Sequence, residues 1–423
     1  MALSVNRASH LIAHIVCGVL VAHYDLSDLA VDGLSSSIFE VCFIACMGFS
    51  QPITPLLAKI RPSLRGFYLK NALVSQLGFA LVAIVAIFVL GYLLRFVTPL
   101  EAAAQRTLVF LGITAFSLLP FMVFQTFKQY FDALQKPVIP ATIAVLGNSL
   151  HVVLSYGLIF GCFHLAPMGI LGVAWASIIS RSIMALAIGL YCYYCHRGVW
   201  VSFWRQRLAW NPIKKLVRMG SYGATQHISD VLAFNIIPIL VSWISLEAVV
   251  VHQMVLYLST FSFIIYIGLA EAAIILTSRK GSAPVSDKKQ VTRALLRTTG
   301  CFAVLFSLLY ACLHAYLPLL YTNDPGVVSM ASTVLIVVAV MQIPDAFQLL
   351  FLGITRGHLD LKWPTFFSLL SYWGLALPIG YWMAFSLGFE LLGIWMGIAL
   401  GVTVLALLVG RRIMQQKGTG MKV

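Results

Sequence analysis

Residues 72–94 read ALVSQLGFALVAIVAIFVLGYLL, twenty-three positions without a charge between Lys70 and Arg95. At about 1.5 Å per residue such a run crosses a hydrocarbon layer of about 30 Å as an α-helix. Working outward from it, comparable apolar runs cover 3–24, 34–58, 108–132, 139–161, 169–194, 220–244, 251–276, 298–320, 329–353, 363–386 and 390–411. With 60% of all residues apolar and only 10% charged, the chain cannot be a water-soluble globule. The expected fold is an all-α polytopic membrane protein of twelve transmembrane helices.

The formal charge of +14 would suggest nucleic acid in a soluble chain, so the placement of the basic residues decides its meaning. They alternate by loop. Lys59, Arg61, Arg65 and Lys70, then Lys128 and Lys136, then Arg197 to Arg218, fall on one side. Arg279 to Arg297, Arg356, Lys362 and the tail Arg411 to Lys422 fall there too. The opposite connections hold only Arg95 and Arg106 among bases, with Asp25, Asp28, Glu101, Glu247, Asp324 and Glu390. Positive loops stay cytoplasmic, so both termini are expected inside a plasma (inner) membrane, with lipid rather than nucleic acid as the surrounding partner.

No H-E-x-x-H, G-x-S-x-G or phosphate-binding G-x-x-x-x-G-K-[ST] occurs, so neither an enzyme nor a self-contained ATP pump is indicated, and no cofactor is expected. The eight cysteines lie mostly in apolar runs as small hydrophobes, and no disulfide is expected. Cys192 and Cys195 have C-x-x-C spacing without a second pair. Met1–His23 lacks the marks of a cleaved leader.

A duplication is visible. At an offset of 220, Phe43-Ile44 and Gly48 fall on Phe263-Ile264 and Gly268; at 221, Leu171-Gly172-Val173 falls on Leu392-Gly393-Ile394. Two pseudo-symmetric six-helix lobes are therefore expected, residues 1–196 and 219–412, joined by a cytoplasmic loop 197–218 and followed by a tail 413–423. In such chains the substrate site lies near mid-membrane and rocking of the repeats gives alternating access. Pro52, Pro55, Pro120, Pro238, Pro344 and Pro378 each remove a helical hydrogen bond and mark expected kinks.

A charge at bilayer depth costs about 2.5 to 3.5 kcal/mol on insertion scales, which makes any such residue a functional candidate. Glu40, Arg181, Asp230, Glu271 and Asp345 qualify. Gln226 and His227 precede Asp230 by one turn on the same helical face, and Asp345 follows Pro344, which frees a backbone carbonyl. Two carboxylates with amide oxygens suit a monovalent cation or a shared proton; helix packing is the plainer reading for each. Glu40 and Arg181 are expected either as a buried pair or as packing residues with Arg181 snorkelling. Asn148, His151 and Ser155 line one face of the fifth span, toward a cavity or a neighbouring helix.

Several segments together resemble the multidrug and toxic compound extrusion (MATE) transporters over nearly the whole chain. These are Val250-Val-His-Gln-Met254, Pro344-Asp-Ala-Phe-Gln348, Thr355-Arg-Gly-His-Leu-Asp360 with Pro364, and Gly147-Asn148 through Gly157 with Gly169-Ile-Leu-Gly-Val-Ala174. Leu377-Pro-Ile-Gly-Tyr-Trp382 with Gly393-Ile-Trp-Met-Gly397 completes them. The resemblance implies a two-lobe antiporter, acting as a monomer, that exchanges inward Na⁺ or H⁺ for small organic cations or amphipathic drugs. On it, Asp230 and Asp345 match the acids of the seventh and tenth helices and form the cation site, with no other metal implied. Gln253 matches the glutamine of an A-H-Q-like motif. Gln226, Gln253, Glu271, Gln342, Asn148 and Ser155 would line the substrate cavity. Cys17 stands where relatives carry a first-helix Asp, and Met341 where some carry Tyr. A lipid-linked oligosaccharide flippase of the same superfamily is the alternative; a major-facilitator carrier lacks its loop motif at Lys59 to Arg65, and a non-transporting scaffold or receptor does not explain acids at mid-membrane.

Overall fold

The structure is a computed structural model that describes residues 2–97, 101–162, 166–278 and 285–418. The end of the expected tail, with Lys422, and Arg279 and Lys280 lie outside the described residues. Among the described residues no strand occurs, and twelve helical passages follow one another. They are α1 (Ala2–Tyr24), α2 (Leu26–Ser50, continued by Ile53–Lys59), α3 (Arg65–Val97), α4 (Glu101–Phe116, continued by Leu118–Ala133), α5 (Val138–Phe160) and α6 (Ile170–Cys195). After a short helix, Arg197–Arg205, come α7 (Trp210–Ser242), α8 (Leu246–Thr277), α9 (Val285–Leu313) and α10 (Pro325–Gly357). The last two are α11 (Lys362–Leu369, then Leu370–Ala376, Leu377–Tyr381 and Trp382–Ser386) and α12 (Glu390–Gly418). Ten of these passages are long and apolar enough to cross a membrane; in α1 the apolar part is the shorter Ile12–Tyr24, and α11 is interrupted.

Local chemistry sets the ends and the breaks. Ser245 caps α8 by accepting from Ala248 N at 3.0 Å, and Asp324 caps α10 by accepting from Gly326 N and Val327 N at 2.8 and 3.1 Å, with Pro325 at the first turn. Pro52 has no N–H for the Gly48 carbonyl, and α2 breaks there. Pro120 likewise releases the carbonyl of Phe116, where α4 breaks. Pro238 and Pro344 instead sit inside unbroken helices, while Pro378 lies between the π-helical turns Leu370–Ala376 and Trp382–Ser386. Pro52 and Pro120 thus break their helices, whereas Pro55 lies within the intact Ile53–Lys59 and Pro238 and Pro344 are tolerated inside theirs.

The chain divides into two compact units, Met1–Ile228 and Ser229–Val423. In the first, Cys42, Cys46 and Phe49 of α2 pack with Ala80, Ile84 and Ile87 of α3 and with Leu111, Ala115 and Met122 of α4. The opening turns of α7 belong to this unit because Gly220 lies on Phe49 and a Cβ on Gly48 would meet Gly223 O at 2.5 Å. Cys17 and Val21 of α1 pack with Ile159 of α5 and Ile170 and Ala174 of α6.

In the second unit α10 packs against α8, α9 and α12, burying Val334, Leu335, Val338 and Leu350 in one core with Val255, Tyr266, Phe306 and Trp395. The other partner of α12 is α11, along a seam of small residues: Gly393, Gly397 and Gly401 rest on Ala384, Gly380 and Ala376. Without a hydrophobic drive between helices in lipid, such close backbone contact supplies the attraction. A Cβ at Gly401 would lie 2.6 Å from that of Ala376, and the space at Gly397 is tighter still. Gly397→Ala is therefore expected to destabilise the unit by about 1 to 3 kcal/mol through overpacking, measured as a lowered midpoint of thermal unfolding in detergent.

Candidate functional site

Four helices of the second unit bring polar groups together at membrane depth. α10 contributes Gln342, Asp345 and Gln348, spaced by three residues on its buried face; Asp345 is only 8% exposed. α11 contributes Ser368 and Tyr372, one turn apart and both buried. Asp230 comes from α7 and Tyr266 from α8.

Hydrogen bonds tie them into three groups. Ser368 Oγ donates to Asp230 Oδ1 at 2.6 Å, a short bond of the charge-assisted kind. Gln348 Nε2 donates to Asp345 Oδ1 at 3.1 Å and to Tyr372 Oη at 3.3 Å. Tyr266 Oη donates to Gln342 Oε1 at 2.9 Å, one turn before Asp345. Tyr372 lies within electrostatic range of both Asp230 and Asp345, and Tyr266 within range of Asp345. The buried Arg356, at the end of α10, is within range of Asp230. Phe234, one turn after Asp230, holds the Tyr372 ring edge-on at 5.7 Å, and Ser229 accepts from Trp373 Nε1 at 2.9 Å, which seats α7 on α11.

This donor set is made of oxygens: two carboxylates, three hydroxyls and amide carbonyls. Hard cations prefer oxygen ligands, and a carboxylate in the same place equally accepts a proton. Among the described residues no three His, Cys, Asp or Glu side chains converge to hold a metal ion. Ser368→Ala removes a hydrogen bond to a charged acceptor, worth about 1.5 to 3 kcal/mol. It is expected to lower the midpoint of thermal unfolding in detergent, because Asp230 is left without this donor.

The other expected positions fall elsewhere. Gln342 joins the cluster, whereas Gln226 is buried in the first unit. Gln253 is exposed on α8, thirteen residues before Tyr266, which is roughly 20 Å along the axis. Its neighbour His252 is buried against the Trp395 ring at 5.6 Å. Glu271 is half-buried, next to Ala270, which packs backbone to backbone on Gly353.

In the first unit the stripe on α5 faces α1. Asn148 Nδ2 donates to Ser9 Oγ at 2.9 Å, and Cys17 Sγ lies 3.5 Å from Ser155 Oγ and 3.7 Å from His151 Nε2. These contacts are the helix-to-helix kind of polar packing. Glu40 and Arg181 do not pair. Phe39 and Phe43 occupy one face of α2, and Glu40, turned about 100° away from Phe39, is exposed. The Arg181 guanidinium lies over Phe39, Phe43 and Phe121, 5.3, 5.0 and 5.6 Å from the ring centres, and donates to Ser117 Oγ.

Two further pairs correct the loop-charge reading. Lys128 is not a loop charge: it forms an ion pair with Asp132 at 3.0 Å on α4, their side chains 8% and 5% exposed. Asp28 is buried as well, bonded to Arg106 at 3.2 Å and accepting from Ile170 N at 3.3 Å. Beside the first pair, Gln125 and Gln129 donate to Ser50 Oγ at 3.1 and 3.2 Å.

Twelve helical passages with buried acids held by polar partners define a polytopic transporter. The MatE family model matches residues 3–157 and 225–382, and the chain belongs to that family of transporters. It is 27% identical over 385 residues to the "Probable multidrug resistance protein NorM" of Haemophilus ducreyi, covering 88% of this chain and 82% of that protein. Among solved structures it resembles the eukaryotic MATE transporter AtDTX14, with a TM-score of 0.82 at 18% identity over 98% of this chain and 93% of that one. It also resembles the outward-facing conformation of a multidrug resistance MATE family transporter of the MOP superfamily. There the TM-score is 0.85 at 14% identity, covering 100% of this chain and 95% of that one.

Proposed function

We propose that the chain is a secondary antiporter that exports small amphipathic organic cations in exchange for inward Na⁺ or H⁺. The observation that carries this is the pair Asp230 and Asp345 inside the second unit: Ser368 donates to the first, Gln348 to the second and to Tyr372, and Ser368 and Tyr372 lie one turn apart on α11. A buried carboxylate is costly unless neutralised, and a bound cation or proton neutralises it. When the coupling ion leaves, the bared carboxylates favour a cationic substrate or a different packing of the surrounding helices. Exchange follows when each ligand binds the two arrangements with different affinity.

The kinship with a multidrug resistance protein supports export of varied compounds. The site supplies the charge preference, because Asp230 and Asp345 attract cations. Tyr266 and Tyr372 hold Gln342 and Gln348 in place beside the carboxylates.

The test is transport by the purified protein in sealed vesicles with ΔNa⁺ and ΔpH imposed separately. One of the two gradients alone is expected to drive accumulation of an amphipathic cation such as tetraphenylphosphonium. Accumulation under neither gradient, with the protein folded, would contradict the proposal.

A further inference from the structure

No aspartate or glutamate lies between Asp132 and Asp230, and the connection from α6 to α7 falls within this acid-free stretch. Its helix, Arg197–Arg205, is held firmly to α3. A Cβ on Gly66 would lie 2.5 Å from Val199 O, so the two backbones touch there. Lys70 Nζ donates to Gln206 O at 2.9 Å, and Ala209 N donates to Asn71 Oδ1 at 2.9 Å. Phe203 is buried, and Trp200 stacks on it at 5.8 Å and on Phe127 at 6.2 Å.

With one face so committed, the other is left outward. On this helix and in the residues that follow it into the first turns of α7 are Trp204 at 64% exposure and Trp210 at 73%, with the exposed Arg205, Arg207, Lys214 and Lys215. Two bare indoles are unfavourable in water, yet α6 ends and α7 begins here, both long enough to cross a bilayer. This segment therefore meets the membrane at its polar boundary, where indoles are at home.

We propose that this face is a binding surface for anionic phospholipid headgroups. Arg205, Arg207, Lys214 and Lys215 meet the phosphates, and Trp204 and Trp210 sit at the level of the glycerol backbone. Charge complementarity selects the occupant: four bases with no acid within the stretch attract an anionic lipid surface, and each adds to the attraction independently. The mixture of indoles and bases fits lipid, since the indoles need an apolar layer beneath the phosphates.

The test is tryptophan quenching in the full-length protein reconstituted in vesicles of phosphatidylcholine with a minor fraction of brominated lipid. Brominated phosphatidylglycerol is expected to quench the part of the emission lost in Trp204→Phe/Trp210→Phe at least about twofold more than brominated phosphatidylcholine does. Neutralising the four bases (R205Q/R207Q/K214Q/K215Q) is expected to equalise the two lipids, while exchanging both arginines for lysine keeps the preference. Equal quenching by both lipids in the unaltered protein would overturn the proposal. So would a preference erased by millimolar inorganic phosphate at constant ionic strength, which would mark a site for free anions, or binding of an acidic peptide or nucleic acid in place of lipid.

Discussion

Asp345→Asn is expected to lower gradient-driven export by roughly two orders of magnitude, the upper end of coupling free energies near 3 kcal/mol. The reason lies in what surrounds the carboxylate. Asp345 is buried on α10, accepts from Gln348, and sits within electrostatic range of the Tyr266 and Tyr372 hydroxyls. Asparagine keeps the volume and a carbonyl oxygen for Gln348 but removes the charge that a cation or proton neutralises. Protein level and thermal midpoint should stay near those of the native chain, because the change relieves a buried charge. Asp345→Glu retains the charge and should retain measurable coupling with altered ion affinity. Export assays in cells, read beside vesicle uptake, separate these outcomes.

Lys128→Met is the second large effect, and it concerns stability. The Lys128–Asp132 pair is almost fully buried on α4. Removing one partner of such a pair costs about 3 to 5 kcal/mol, because the remaining charge is left in a medium of low dielectric. The thermal midpoint in detergent should fall by many degrees. Lys128→Met/Asp132→Leu should regain most of the loss, since apolar replacement of a whole buried pair is often neutral or stabilising. If the single and double variants were equally unstable, the pair's contribution would come from shape and not from charge.

Much of the fold was legible because lipid allows little else. A run such as residues 72–94 has no alternative to a helix when every backbone group must be satisfied internally. Hydropathy is silent about breaks, and proline only partly fills that gap. Pro52 and Pro120 do break their helices, whereas Pro238 and Pro344 do not. The π-helical turns of α11 surround Pro378, but nothing in local composition marks their extent. Loop charges were read too literally at Lys128 and Asp28: Lys128 lies inside the run 108–132 and Asp28 in the first turn of α2, and both groups proved to be buried partners.

The site was legible to a similar degree. Insertion cost raised Asp230 and Asp345 together with Glu40, Arg181 and Glu271, and the neighbouring polar groups and the family resemblance chose the two; the structure places both among the polar groups of the second unit. Their partners Ser368 and Tyr372 were overlooked because hydroxyl side chains are ordinary in membrane helices; the i, i+4 spacing on α11 was the available signal. Gln348 was in view three residues after Asp345 but had no assigned role. Gln253 carried a family motif, yet it lies exposed and far along α8 from the cluster. Arg181 shows the limit of charge counting: of the two readings left open, a pair with Glu40 or packing, three phenyl faces and a hydroxyl give the packing one.

The most direct measurement is ion release on substrate binding by the purified protein. Adding tetraphenylphosphonium to the native chain should release the coupling ion, protons into lightly buffered solution or ²²Na⁺ from a preloaded sample, at about one ion per substrate bound. Asp230→Asn/Asp345→Asn should release none while still binding the compound at the remaining contacts. Undiminished release from this pair variant would contradict a coupling site at Asp230 and Asp345.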